Sequence, residues 1–148
     1  MSKKTLEAAE LRALADLRYE LRKYLAFAEA AAARAGVEPK QYQLMLALAA
    51  MPAGEAATVG ALAARLFVKH HSAVGLVDRL EANGLASRQR SASDGRQVIV
   101  SLTRAGTKLL GDLSLLHKEE LTRIAPSLVT TLENIVGAAS ARRDRRKK

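Results

Sequence analysis

Residues 58–102 constrain the fold most, because two short helical patterns and a strand pair follow one another there with little linker. Thr58 is a suitable N-cap for a first helix, whose apolar positions are spaced three and four residues apart and end near Phe67. A second helix begins almost at once and covers about 69–83, where Asn83-Gly84 supplies a left-handed stop. Two short helices joined by a tight turn predict a helix-turn-helix.

After Gly84 the pattern changes from helical to extended. Residues 85–90 lead into the turn-prone stretch 91–95, and the β-branched run 97–102 follows. A hairpin directly behind the second helix of a helix-turn-helix is a wing, which can lie along the sugar-phosphate backbone or enter the minor groove. We therefore predict a mainly α fold with a small β-hairpin wing.

Long apolar seams flank this region on both sides. No Pro or Gly interrupts residues 5–35, which predicts one helix ending at Gly36. That helix would extend about 45 Å, more than a core of this size needs, so part of its apolar face is expected to pack on another subunit. A helix over 39–50 precedes the helix-turn-helix, and a helix over 104–124 with a separate one from Pro126 follows the wing.

The net charge of +9 is concentrated in two segments. Residues 65–108 hold eight Lys or Arg against three Asp or Glu, and residues 142–148 hold six against one. A localised basic segment in a folded region is typical of a protein that binds a polyanion, although a basic surface kept for solubility gives the same composition. We interpret residues 141–148 as a disordered basic tail.

The N-terminal end of the second helix is the part that a helix-turn-helix presents to base edges in the major groove. Its apolar stripe at 73, 76, 77 and 80 leaves the opposite face for contacts, in which His and Ser can hydrogen-bond bases, Val can touch a thymine methyl and Gly permits close approach. Lys and Arg side chains there would contact phosphates. The residues expected to contact DNA are Lys69, His70, His71, Ser72, Val74, Gly75 and Arg79 from the helix, and Arg88, Arg90, Asp94 and Arg96 from the wing. Asp94 is also interpreted as the turn residue of the hairpin tip.

Other classes of protein find little support in the sequence. There is no cysteine, and His70 and His71 are neighbours about 100° apart on a helix, so we expect no metal site. No phosphate-binding loop, metalloprotease motif or nucleophile elbow occurs, so neither an enzyme activity nor a cofactor is expected. No apolar run approaches the roughly 20 residues that span a bilayer, and no signal peptide is recognisable, so we expect a cytoplasmic protein without membrane contact.

The stretch TVGALAARLFVKHHSAVGLVDRLEANGLASRQRSASDGRQVIVSLTRAG resembles the MarR family of bacterial transcriptional regulators. The LAARL helix, the VDRLEANGL end of the recognition helix, the Asp-x-Arg wing signature at Asp94-Gly95-Arg96 and the LTRAG helix start occur in the order of that family. The resemblance implies a single domain over 1–148, with a winged helix-turn-helix DNA-binding region over 39–102. It also implies that 5–35 and 104–140 are dimerisation helices.

The resemblance further implies a homodimer that binds a pseudo-palindromic site in double-stranded DNA, acts as a repressor and releases DNA when a small anionic or aromatic effector binds. The conceivable pocket residues are Tyr19, Tyr24, Phe27, Tyr42 and His70. No ligand site is assigned, because Tyr and Phe at helical spacing are more often part of the core. Two other functions fit the same fold: a dimeric adaptor whose winged helix binds protein, and a small-molecule-binding protein without specific DNA binding. The arginines gathered on the hairpin argue against the adaptor.

Overall fold

A computed structural model of the protein describes residues 5–145, with side chains described through residue 138. The elements in this range are α1 (Ala8–Arg34), α2 (Pro39–Ala49), α3 (Val59–Arg65), α4 (His70–Ala82), β1 (Ala86–Arg90), β2 (Val98–Leu102) and α5 (Arg104–Arg145). The predicted fold class, mainly helical with a small hairpin, is confirmed.

Contacts divide the chain into two compact units. The first unit, residues 29–116, holds α2, α3, α4 and the hairpin, together with the adjoining ends of α1 and α5. The second unit joins the chain up to Ala28 with the chain from His117 onward, and therefore consists of the remaining parts of α1 and α5.

The core of unit 29–116 forms where α2, α3 and α4 bury one apolar stripe each. The stripe predicted for α4 is confirmed, since its four apolar positions are all buried: Ala73, Leu76, Val77 and Leu80. They share the core with Leu44, Met45 and Leu62, none of which has exposed surface. Each large side chain buried in this way contributes about 1.5–3 kcal/mol. This core fixes α4 so that its other face is turned to solvent.

Three helices end in the same hydrogen-bonding pattern, which requires a left-handed residue just after the helix. After α1 and α4 that residue is glycine, Gly36 with φ +79° and Gly84 with φ +70°. After α3 it is Phe67, with φ +52°. The amide of Phe67 donates to the carbonyl of Ala64 and the next amide, of Val68, donates to the carbonyl of Ala63. The other end of α3 is capped as predicted, by a bond of 3.1 Å from the Ala61 amide to the Thr58 hydroxyl.

The two strands form an antiparallel hairpin in which Arg88 lies opposite Val100 and Arg90 opposite Val98. Its base is packed, because Ala86 and Val100 are buried. The amide of Val100 also donates to the carbonyl of Ala57, which ties β2 to the segment before α3 (2.9 Å). The hairpin therefore has a fixed base and an exposed tip.

The start of α5 is fastened to the connection between α4 and β1. The hydroxyl of Thr103 donates to the carbonyl of Gly84 (2.6 Å) and accepts from the amide of Gly106 (3.0 Å), so it caps α5 and holds the turn after α4 at once. The amide of Thr103 donates to the carbonyl of Leu85 (3.1 Å). The first turn of α5 thus sits directly against the backbone that follows α4.

The prediction of a separate helix beginning at Pro126 is wrong. Helix α5 runs without interruption from Arg104 to Arg145, with Pro126 inside it. Pro126 has no backbone N–H and cannot donate the helical hydrogen bond to the carbonyl of Thr122. Its φ is nevertheless close to the helical value, so the helix can continue through it when the turns on both sides are stable. The helix also covers residues 141–145, where the sequence indicated a disordered tail; residues 146–148 and the side chains from residue 139 lie outside the described part.

In the second unit, α1 and α5 enclose a buried histidine. His117 is 3% exposed, and its ring makes edge contacts with the rings of Tyr24 and Phe27 at centroid distances of 6.2 Å. Burial lowers the pKa of His117, against the opposing effect of a hydrogen bond with the backbone of Ala28. His117 therefore belongs to the interior of this unit and not to a DNA-facing surface.

No helix within residues 5–145 is long and apolar enough to cross a membrane.

Candidate nucleic-acid interface

The N-terminal end of α4 exposes the polar side chains that the sequence analysis assigned to base contacts. Lys69 is the N-cap residue in an extended conformation, and its carbonyl accepts the amides of Ser72 and Ala73. His70, His71 and Ser72 then form the first turn, and all three are exposed. Val74 and Gly75 follow on the same side with partial exposure. The structure therefore brings together the six residues from 69 to 75 that were predicted from this helix.

The segment of chain on both sides of this end of α4 carries charge of one sign. No Asp or Glu occurs between Glu55 and Asp78, whereas Arg65 and Lys69 are both present and exposed. The helix dipole adds positive potential at the same end, where the first amides of α4 have no partner within the helix. This surface is therefore suited to a polyanion.

Arg79 lies two turns further along α4 and has a different environment. Its guanidinium is 3.5 Å from the Glu38 carboxylate, and both side chains are at least half exposed. An exposed pair of this kind contributes little to stability and breaks readily. Arg79 is therefore available for a phosphate contact, but it does not belong to the first-turn cluster.

Arg88 on β1 is engaged within the unit. Its backbone amide donates to Glu81 (3.0 Å), its guanidinium donates to Asp78 (2.6 Å), and a further short hydrogen bond joins the guanidinium to Glu81. Burial by itself would lower the pKa of Arg88, but the hydrogen bonds and charges of Asp78 and Glu81 outweigh it and raise the pKa. Arg88 thus fastens the wing to α4, and its side chain is only 25% exposed.

The tip of the wing is organised by Asp94. The Asp94 carboxylate accepts the amide of Arg96 (3.0 Å), and the carbonyl of Asp94 accepts the amide of Gln97. Arg90 closes the turn from the other strand by donating to the carbonyl of Gly95 (2.9 Å). Asp94 therefore has the geometry of a turn residue, whereas the Arg96 side chain extends from the tip and is exposed.

Sequence reasoning missed several residues that shape this surface. Asp78 and Glu81 were not recognised as partners of Arg88, although their spacing of three places them on one face of α4. Phe67 was taken only as the end of a helix, whereas its side chain is 98% exposed. The available signal was a Phe where a helix stop usually carries Gly. Among the described residues, no group of three His, Asp or Glu is arranged to hold a metal ion.

The core of unit 29–116, the exposed first turn of α4 and the hairpin fastened behind it define a winged helix-turn-helix protein. The sequence model of the MarR family matches residues 35–97, which cover α2, α3, α4 and the hairpin through its tip. This match, together with solved structures of MarR family regulators of the same fold, confirms the predicted resemblance to that family.

Among the solved structures, the fold is similar to that of AbsC, a MarR family transcriptional regulator from Streptomyces coelicolor, with a TM-score of 0.71, 19% identity and coverage of 95% of this chain and 97% of that one. It is also similar to a mutant MepR from S. aureus bound to an oligodeoxyribonucleotide (TM-score 0.63, 18% identity, 88% and 94% coverage). A third similar structure is CouR from Rhodococcus jostii RHA1 bound to p-coumaroyl-CoA (0.65, 23%, 80% and 87%). No curated protein is significantly similar to the chain in sequence.

Proposed function

We propose that this chain is a bacterial, cytoplasmic transcriptional regulator that binds a specific sequence of double-stranded DNA as a homodimer and acts as a ligand-responsive repressor. The observation that carries the proposal is the acid-free N-terminal end of α4, where the N-cap Lys69 and the first turn from His70 to Ser72 are exposed next to a wing that extends Arg96. An exposed recognition-helix end with a basic hairpin beside it is the arrangement that reads a major groove and follows the adjacent backbone.

In the proposed complex the first turn of α4 enters the major groove. His71 and Ser72 hydrogen-bond base edges and supply sequence preference, while Lys69 neutralises a phosphate and supplies affinity. Val74 and Gly75 lie one turn further in, where a methyl contact and close backbone approach are possible.

The wing contributes through Arg96 and, once its bond to Gly95 is released, Arg90. A guanidinium at a hairpin tip can lie along the phosphates or enter the minor groove. Arg88 is left out of the proposed contacts, because its guanidinium already pairs with Asp78 and Glu81.

The proposed dimer is supported by apolar surface on the second unit. Leu14, Leu21 and Leu25 on α1 are between 43% and 49% exposed, and α5 exposes further aliphatic side chains. Exposed aliphatic surface of this extent is typical of a face that packs against a partner. Two heads related by a twofold axis would bind half-sites about one helical turn, roughly 10 bp, apart.

The proposed effector is a small anionic or aromatic compound. The support is a protein of similar fold, CouR, whose structure holds p-coumaroyl-CoA, a molecule that is both anionic and aromatic. An effector that prefers a dimer conformation unable to reach successive grooves would weaken DNA binding by its differential affinity, typically about 1–3 kcal/mol. No residue of this chain is assigned to that site.

The test is selection of bound sequences from a random duplex library, followed by fluorescence-anisotropy titration of the selected duplex and a scrambled one at two salt concentrations. We expect an inverted repeat that binds at least a thousandfold more tightly than the scrambled duplex. His71→Ala should change the selected sequence, whereas Lys108→Ala, an exposed cation paired with Asp112 on α5, should leave it unchanged. Failure to enrich any sequence, with weak and salt-sensitive binding only, would favour the adaptor function.

A further inference from the structure

Phe67 combines two unfavourable features in one residue. Its side chain is 98% exposed, so its aromatic ring has almost no contact within the protein. Its φ of +52° lies in the left-handed region, where a side chain with a Cβ is strained. A residue that is both strained and unburied contributes nothing to stability by its side chain.

The same molecule shows the unstrained alternative. The two other helix ends with this hydrogen-bonding pattern carry Gly36 and Gly84 at the equivalent position. Glycine adopts positive φ without steric cost, so it would complete the end of α3 equally well. The fold alone therefore gives no reason for a phenylalanine at position 67.

We propose that Phe67 is a further DNA-contacting residue, which packs its ring against the apolar part of the duplex at the rim of the groove that α4 enters. The partner surface is a thymine methyl group or the face of a deoxyribose. This inference rests on the proposed function of α4 and adds a contact from the turn that precedes it.

The position of Phe67 in the chain favours DNA as the partner of its ring. Phe67 is two residues before Lys69, the N-cap of α4, so their Cα atoms are at most about 7.6 Å apart. The ring thus stands beside the helix end assigned to the major groove. Thymine methyl groups line that groove, and the sugars form its walls.

The charged residues that flank Phe67 also favour DNA as its partner. Phe67 lies inside the acid-free segment between Glu55 and Asp78 and is flanked by the exposed cations Arg65 and Lys69. Cations on both sides of an exposed ring attract the phosphates and would hold the ring close to the neighbouring sugars and bases. A ring placed to recognise an apolar protein surface gains nothing from this surrounding charge.

The experiment compares wild-type protein with Phe67→Gly and Phe67→Leu on the selected duplex. Glycine relieves the left-handed strain, so the Tm of Phe67→Gly should equal or exceed that of the wild type. Loss of the ring should nevertheless weaken binding about tenfold, from the apolar area that is no longer buried. The slope of log affinity against log salt should not change, because no charge is removed. Phe67→Leu keeps an apolar side chain and should retain most of the affinity.

Replacing the thymines of the selected duplex by uracil, one at a time, distinguishes the two partner surfaces, because uracil lacks the methyl group. If the ring contacts a methyl group, one of these replacements should weaken DNA binding by the wild type and leave binding by Phe67→Gly unaffected. If Phe67→Gly loses affinity and no uracil has this effect, the contact is with the sugar. If the wild type binds specifically and Phe67→Gly binds equally well, the inference is wrong while the proposed function stands. If the wild type selects no duplex, both are wrong. Should Phe67→Gly unfold, Phe67→Asn, which also tolerates positive φ, replaces it.

Discussion

At position 106 the backbone of α5 approaches the connection after α4 so closely that only a glycine fits. A Cβ built on Gly106 would lie 2.0 Å from the carbonyl oxygen of Leu85, far inside van der Waals contact. The obstacle is backbone and cannot rotate away, and Thr103 pins both sides of the contact. The Thr and Gly of the LTRAG sequence therefore form one joint between α5 and the end of α4.

Replacing Gly106 with alanine should therefore force this joint apart. We expect Gly106→Ala to lower the free energy of unfolding by about 2 kcal/mol or more, the cost of overpacking against a rigid neighbour. Urea unfolding followed by circular dichroism measures this difference.

The matched control is Gly111→Ala, five residues along the same helix. A Cβ at Gly111 meets nothing within 4 Å, so this substitution should raise stability by about 0.5–1 kcal/mol through better helix propensity. Equal effects of the two substitutions would show that the contact at Gly106 is not tight in solution.

Some residue roles could be predicted from the sequence and others could not, for a physical reason. Thr58 and Gly84 were predicted correctly as helix cap and helix stop, because each acts on backbone within a few residues. Arg88 was grouped with the DNA-contacting arginines, because charge is visible in a sequence and its partner is not. Asp78 lies ten residues away on another element, so its pairing with Arg88 depends on how the wing folds back.

At the scale of elements, the wing is held to α4 by the pairing of Arg88 with Asp78 and Glu81. The Arg88→Gln substitution should cost about 1 kcal/mol or less in stability, because Asp78 and Glu81 are partly exposed and solvent screens the pairs. It should lower DNA affinity a few-fold by loosening the wing, without changing the salt slope, since Arg88 neutralises no phosphate in this proposal.

Arg96→Ala provides the contrast on the same hairpin. Its exposed guanidinium makes the proposed backbone contact, so its loss should weaken binding to many sequences and flatten the salt slope by about two, one for each subunit of the dimer. Anisotropy titrations of both variants over a salt series show whether each arginine contacts a phosphate or only holds the wing in place. A flatter salt slope for Arg88→Gln would mean that Arg88 contacts DNA, as the sequence analysis predicted.

Element boundaries were predictable where a local rule governs them. The apolar stripe of α4 and the turn residues of the hairpin gave those elements nearly correct bounds. Pro126 was misleading because proline starts helices more often than it continues them, yet α5 runs through it. What carries a helix past a proline is the stability of the turns on both sides, which a single residue does not reveal.

At the scale of the whole molecule, exposed aliphatic residues repeat along both long helices. On α5, Val129, Leu132 and Val136 follow one another at steps of three and four, and they are between 48% and 64% exposed. Residues at this spacing share one face of a helix. Together with the exposed leucines of α1, this face provides the apolar surface for the proposed second subunit.

Charges placed on this face should separate the subunits. We expect the double variant Val129→Glu and Leu132→Glu to sediment as a monomer at micromolar concentration, where the wild type sediments as a dimer and its Tm rises with protein concentration. Thr130→Glu places one such charge on the same helix, away from the apolar face, and should remain dimeric. A monomeric wild type, or a double variant that stays dimeric, would contradict this interface.

The same variants connect the interface to DNA recognition. A separated subunit keeps its own α4 and wing, so it should still prefer one half of the selected repeat. It should lose the gain in affinity that comes from joining two DNA-binding units in one dimer. Each half-site then binds a subunit independently, without the high effective concentration that the dimer provides. The affinity of the double variant for the full repeat should therefore fall toward its affinity for a single half-site. Thr130→Glu should still bind the full repeat more tightly than the half-site. A double variant that binds the full repeat as tightly as the wild type would mean that each subunit reads its site alone.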